Sequence, residues 1–136
     1  MLGVLWSRRR WPYATYLLVA ITRIPARTGY HLNVPACDTR LTLANVGLSL
    51  TKVPHVVLFG AFFVLTAIQF DRIDRRTMGW SFLATVTLGL LVELEEGATG
   101  TGNCRLTDVL PDIAGALIGS ALIMAIATIR RRVSDG

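Results

Sequence analysis

The sequence predicts an all-α fold: a bundle of four transmembrane helices, with both termini cytoplasmic and a long outer loop between the first two helices. Three observations lead there. The chain is 52% hydrophobic and only 17% charged, whereas soluble domains carry roughly 25% charged residues. Its mean hydropathy is +0.51, and it contains apolar runs near the length of a bilayer core, which takes about 20 residues as a helix. Its arginines stand in clusters at the ends of those runs. The 136 residues suffice for one domain.

The first run, about residues 11–24, starts with Pro12 in the first helical turn and stops before Pro25. It is short, and Arg23 inside it is expected to snorkel to the interface. The alternative for this run is a cleaved signal peptide with Arg8, Arg9 and Arg10 as its basic region, but no clear small-x-small site precedes Arg27. The second run, 53–70, holds one ionisable residue, His55. The third is expected as a helix over 77–96, and its apolar part, up to Val92, has none. The fourth, 108–129, carries Asp108 at its start and Asp112 one turn in.

Four spans place Arg8–Arg10, Arg72/Arg75/Arg76 and Arg130–Arg132 on one side, which the positive-inside rule makes cytoplasmic. Trp11 and Trp80 fall at the same boundary, where indoles favour the interface. The expected location is a bacterial cytoplasmic membrane. The net charge of +5 then follows from topology, and nucleic-acid binding is not expected because no polar domain carries a basic face. The long outer loop, 27–51, includes Leu41, Leu43, Val46, Leu48 and Leu50, and is expected to fold back as an interfacial segment. The short one, 97–107, begins with the turn-like Gly97-Ala-Thr-Gly-Thr-Gly102.

Cys37 and Cys104, the only cysteines, fall in the two outer loops. An oxidising exterior permits a disulfide between them. Two free thiols, or a metal pair with a histidine such as His31, are the alternatives.

Ionisable residues sit in pairs at the outer ends of three runs: Lys52 with His55, Glu93 with Glu96, and Asp108 with Asp112. Each pair is spaced i,i+3 or i,i+4, so each shares one helix face. Taken singly each has an ordinary explanation, as a snorkelling lysine, a solvated helix end or an N-cap. Together they place polar side chains from three helices at one depth, where charge is costly and usually kept for a function. Asp112 lies roughly 6 Å deeper than Asp108 and needs a partner among Lys52, His55 and Arg105. Lys52 and Arg105 against Glu93, Glu96, Asp108 and Asp112 leave an acidic excess, which calls for a protonated group, a bound cation or a charged His55. No tight metal signature such as H-E-x-x-H is present, and no resident metal or cofactor is expected. Gly115 and Gly119 form a G-x-x-x-G strip for close helix approach. Packing within the bundle is favoured, with a homodimer through the strip as the alternative.

At these residues the chain resembles the VanZ-like family of small bacterial membrane proteins. Thr51-Lys-Val-Pro-His55 is similar to the family's D-K-x-x-H, Glu93-Leu-Glu-Glu96 to its E-x-x-Q, and Asp108-Val-Leu-Pro-Asp112-Ile-Ala-Gly115-Ala-Leu-Ile-Gly119 to its D-x-x-x-N-x-x-G-x-x-x-G. The resemblance covers about residues 48–120. The chain departs from the pattern at Thr51, Glu96 and Asp112, and Arg105 stands nearer the aspartate than the family arginine does. Two amide-to-carboxylate changes make this version more acidic. The resemblance implies a cell-envelope role with a link to glycopeptide antibiotic resistance, and no settled activity.

The functional expectation is an accessory or binding protein. Its outward polar site (Lys52, His55, Glu93, Glu96, Arg105, Asp108, Asp112) would engage a membrane lipid head group or a lipid-linked wall precursor, Lys52 and Arg105 meeting phosphate. One alternative is an intramembrane hydrolase of a lipid ester or phosphoester, with Glu93 or Asp108 as base and His55 as acid or base. The other is a proton- or cation-coupled transporter with the carboxylates as relay.

Overall fold

The computed structural model describes residues 10–18, 37–99 and 104–134. Among them every regular element is helical: α1 within 10–18, α2 Leu43–Leu50, α3 Val53–Ala67, α4 Arg75–Thr99, a 3-10 turn Leu106–Asp108, and α5 Val109–Ser134. Two stretches are long and apolar enough to cross a membrane, Arg75–Ala98 and Leu106–Arg130. The pair α2–α3 meets the same test as one span bent by 65°. The described residues therefore hold two or three candidate spans. The end of the first run, residues 19–24, lies outside them, as do His31 and Arg8–Arg9.

The expected boundaries shift in physically simple ways. The stretch expected as a long outer loop contains α2, started by Thr42, whose hydroxyl accepts from the Asn45 N–H at 3.2 Å. α2 cannot run straight into α3, because the Pro54 ring would clash with the Leu50 carbonyl. The chain breaks at Thr51 and Lys52, where the Thr51 hydroxyl donates to the Leu48 carbonyl at 2.7 Å. α3 ends at Ala67, three residues short of the expected Phe70. α4 starts earlier than expected because Asp74 caps it, accepting from the Thr77 N–H at 2.8 Å, while the Thr77 hydroxyl donates to the Arg72 carbonyl at 2.7 Å. That N–H holds the exposed Asp74 carboxyl below its ordinary range. α4 also continues through Gly97 to Thr99, so the expected turn opens later. α5 runs on through the terminal arginines, which are good helix formers.

The helices present apolar side chains outward: Leu83, Leu91 and Leu94 on α4, and Leu117, Ile118, Leu122 and Ile129 on α5, are exposed. The buried stripe of α4 is Thr77, Ser81, Thr85, Gly89 and Glu93, a strict i+4 series without one large apolar residue. This is the reverse of a water-soluble amphipathic helix and suits a lipid surround. In lipid, helices associate through close packing and hydrogen bonds, since tails are as apolar as leucine.

Packing is closest between α3 and α5. A Cβ on Gly115 would stand 2.5 Å from the Val56 carbonyl oxygen and 2.8 Å from the Gly60 nitrogen, and one on Gly119 would stand 2.8 Å from the Gly60 oxygen. The G-x-x-x-G strip is thus packed against α3. Beyond it, Phe63, Ala67, Ala116 and Ile123 form an apolar core, flanked by Met78 and Phe82 of α4.

Cys37 and Cys104 are joined in a disulfide with Cα atoms 4.6 Å apart. A two-residue ladder continues the link: the Asp38 N–H donates to the Cys104 carbonyl at 2.8 Å, and the Leu106 N–H to the Asp38 carbonyl at 3.1 Å. The segment leading to α2 is thereby tied to the turn that starts α5. In oxidised, unreduced membranes both cysteines are expected to resist maleimide, and to label after reduction. Labelling of both without reductant would disprove the bond.

Candidate functional site

The break between α2 and α3 faces the start of α5. Asp108, at the end of the 3-10 turn, is 3% exposed. Its Oδ2 meets the Lys52 Nζ at 2.6 Å, and its Oδ1 accepts from the Ser49 hydroxyl at 2.6 Å. The partners come from either side of the break, so the bend itself assembles the pair. Asp108 is nearly enclosed, whereas the Lys52 side chain is 41% exposed. The ammonium has three donors, and one is spent on Asp108.

One turn deeper, the Asp112 Oδ1 lies 3.1 Å from the His55 Nδ1. Asp112 is 1% exposed. Its other oxygen presses on α4 at Gly89, where any Cβ would collide with it. Only glycine lets the carboxylate lie between α4 and α5. His55 stacks on Phe59, ring centres 6.0 Å apart, and its second ring nitrogen has no hydrogen-bond partner among the described residues. Of the three candidate partners for Asp112, His55 takes the role. Lys52 serves Asp108 instead.

Glu93, 4% exposed, accepts from the Arg105 backbone N–H at 3.1 Å. It lies within electrostatic reach of Asp108, Glu96 and Lys52. Arg105 therefore joins the site differently from expectation. Its main chain holds Glu93, and among the described residues its guanidinium makes no ion pair, though its charge reaches Asp108. Glu96 is half-buried a turn beyond Glu93. All three ionisable pairs meet at one end of the helices. No group of three or more metal-ligating side chains converges among the described residues.

Three participants were not foreseen. Ser49 had no signal, because α2 read as loop. Tyr16 of α1 lies tilted against Phe62, ring centres 5.5 Å apart, donates its hydroxyl to the Leu58 carbonyl at 3.1 Å, and lies within electrostatic reach of Asp112. The hydroxyl stripe of α4 was not read, although its signal is in the sequence: Thr77, Ser81 and Thr85 recur at i+4 in an otherwise apolar run, continued by Gly89 and the expected Glu93. The Thr85 hydroxyl bonds back to the Ser81 carbonyl at 2.7 Å, a habit that satisfies it locally. The Ser81 and Thr107 hydroxyls are buried without partners among the described residues.

Chemically the site offers a half-exposed cation fixed on a buried carboxylate, an imidazole oriented by a second buried carboxylate, and a third carboxylate held by a backbone N–H. The chain matches no family model, no curated protein and no solved structure.

Proposed function

We propose that this chain is a four-span bacterial envelope protein of the VanZ-like kind, whose outward polar site holds the anionic head group of a membrane lipid or lipid-linked wall precursor. One observation carries the reading. The Lys52 ammonium is anchored 2.6 Å from a buried carboxylate on a side chain that is 41% exposed, at a break between two helices. A cation fixed in place and facing outward loses little freedom on meeting a phosphate. His55 beside it adds a second donor when protonated. The spatial meeting of the residues from the first and third motifs supports the family likeness.

The test is binding of a polyprenyl phosphate to the purified protein in micelles. Wild type is expected to bind, Lys52→Arg to retain most affinity, and Lys52→Gln to lose about tenfold or more. Equal affinity in Lys52→Gln would sink the proposal.

A hydrolase is the second reading, favoured by the His55–Asp112 geometry. A carboxylate on Nδ1 fixes the tautomer and leaves Nε2 to accept a proton from water. Turnover of a lipid phosphoester, abolished by His55→Gln in folded protein, would establish it over simple binding.

A further inference from the structure

Toward the end of the bundle away from Lys52, the start of α4 and residues 120–128 of α5 border an open recess. It has a volume of about 450 Å3 and is lined by Asp74, Arg75, Met78, Ser120, Met124 and Thr128, among others. Its character differs from that of the first site. Five exposed arginines, Arg72, Arg75, Arg76, Arg130 and Arg132, gather on the adjoining segments, against the carboxylates of Asp71 and Asp74. The α4 N-terminus adds the partial positive charge of its free N–H groups. The recess also opens to the apolar flank, where Met124 and Ile73 are exposed.

We infer that this recess binds one anionic phospholipid with a hydroxylated head group, such as phosphatidylglycerol. The lining divides as that molecule does. Arg75 and its neighbours meet the phosphate, and guanidinium suits it through paired N–H donors. Asp74 accepts from the Thr77 N–H to cap α4, and a carboxylate has lone pairs for a further donor, which a head-group hydroxyl supplies and a second phosphate does not. Met78, Met124 and Ala127 line the apolar side, where an acyl chain lies. Free phosphate would leave that apolar wall bare. A zwitterionic choline head would bring a cation toward the arginines. Basic pockets between transmembrane helices are a recurrent form of anionic-lipid recognition. The inference requires membrane insertion only, and holds whatever occupies the Lys52 end.

The protein is purified from a membrane of equal phosphatidylglycerol and phosphatidylcholine, and native mass spectrometry counts retained lipid. Wild type is expected to keep one phosphatidylglycerol under activation that strips phosphatidylcholine. Arg75→Gln is expected to lower retention about fivefold, the worth of one guanidinium at a membrane surface. Met124→Trp fills the recess without changing charge, at a position exposed enough to leave the fold intact, and should lower it at least as much. Arg40→Gln, which removes an exposed guanidinium near the Lys52 end, should leave it unchanged. Equal retention of the two lipids, or equal losses in Arg40→Gln and Arg75→Gln, overturns the proposal, as does full retention in Met124→Trp.

Discussion

Gly115→Leu is expected to abolish the α3–α5 association. Little correctly assembled protein should survive extraction, seen as loss of the monodisperse peak in size-exclusion chromatography. The obstacle is backbone: the Val56 carbonyl and the Gly60 nitrogen stand where the new side chain would begin. Backbone does not swing aside as a flexible side chain does, so the helices must separate along their length. Even Gly115→Ala should cost about 1–3 kcal/mol, the usual toll of overpacking. Gly47 is the control. Nothing lies within 4 Å of a Cβ there, so Gly47→Ala should stabilise α2 by up to about 1 kcal/mol. Similar unfolding curves in mixed micelles for Gly115→Ala and Gly47→Ala would refute this account of the interface.

The second large effect is expected from Lys52→Met. It removes the cation from a carboxylate that is 3% exposed and leaves the Ser49 hydroxyl as its remaining side-chain donor. Breaking a fully buried pair by deleting one partner costs about 3–5 kcal/mol; with the Lys52 side chain 41% exposed, water screens the stranded carboxylate and the expected loss is about 1–3 kcal/mol. Lys52→Met combined with Asp108→Asn should recover most of that loss, since the amide still accepts from Ser49 and needs no counter-ion. A double variant as unstable as Lys52→Met alone would show that the lysine stem, and not its charge, holds the break together.

The legible part of the fold was set by apolar runs and charge. Runs free of charge over 15 residues or so located α3, α4 and α5 to within a few residues, and the three ionisable pairs stand in the sequence at the ends of those runs. Loop placement permitted the pairing of the cysteines but left free thiols or a metal pair open, and nothing in the sequence announced the ladder from Asp38 to Leu106. What escaped was set by local backbone chemistry. α2 needed the Thr42 cap and the Pro54 stop to be read together within what looked like loop. Asp74 moved the start of α4 because a cap overrides the edge of the apolar run. The backbone role of Arg105 was not read, since nothing in a side-chain pattern announces that a residue will act through its N–H. The partner of Asp112 was narrowed to three candidates, and only packing at Gly89 could decide which way its carboxylate turned.

The shortness of α3 has a consequence for the surrounding lipid. Its 15 residues rise about 22 Å, whereas a bilayer's hydrocarbon core is about 30 Å thick, and α2, which completes the candidate span, is bent from it by 65°. α4, with 25 residues, has no such shortfall. A bilayer meeting elements of unequal length thins beside the shorter one, at a modest cost per ångström of mismatch. The thin side is bordered by α3, with the Lys52 end at its rim. Head groups there would sink toward the ammonium, and a lipid could present its phosphate without leaving the membrane or being drawn into a cavity. The local deformation of the bilayer, as much as any pocket, would deliver the ligand.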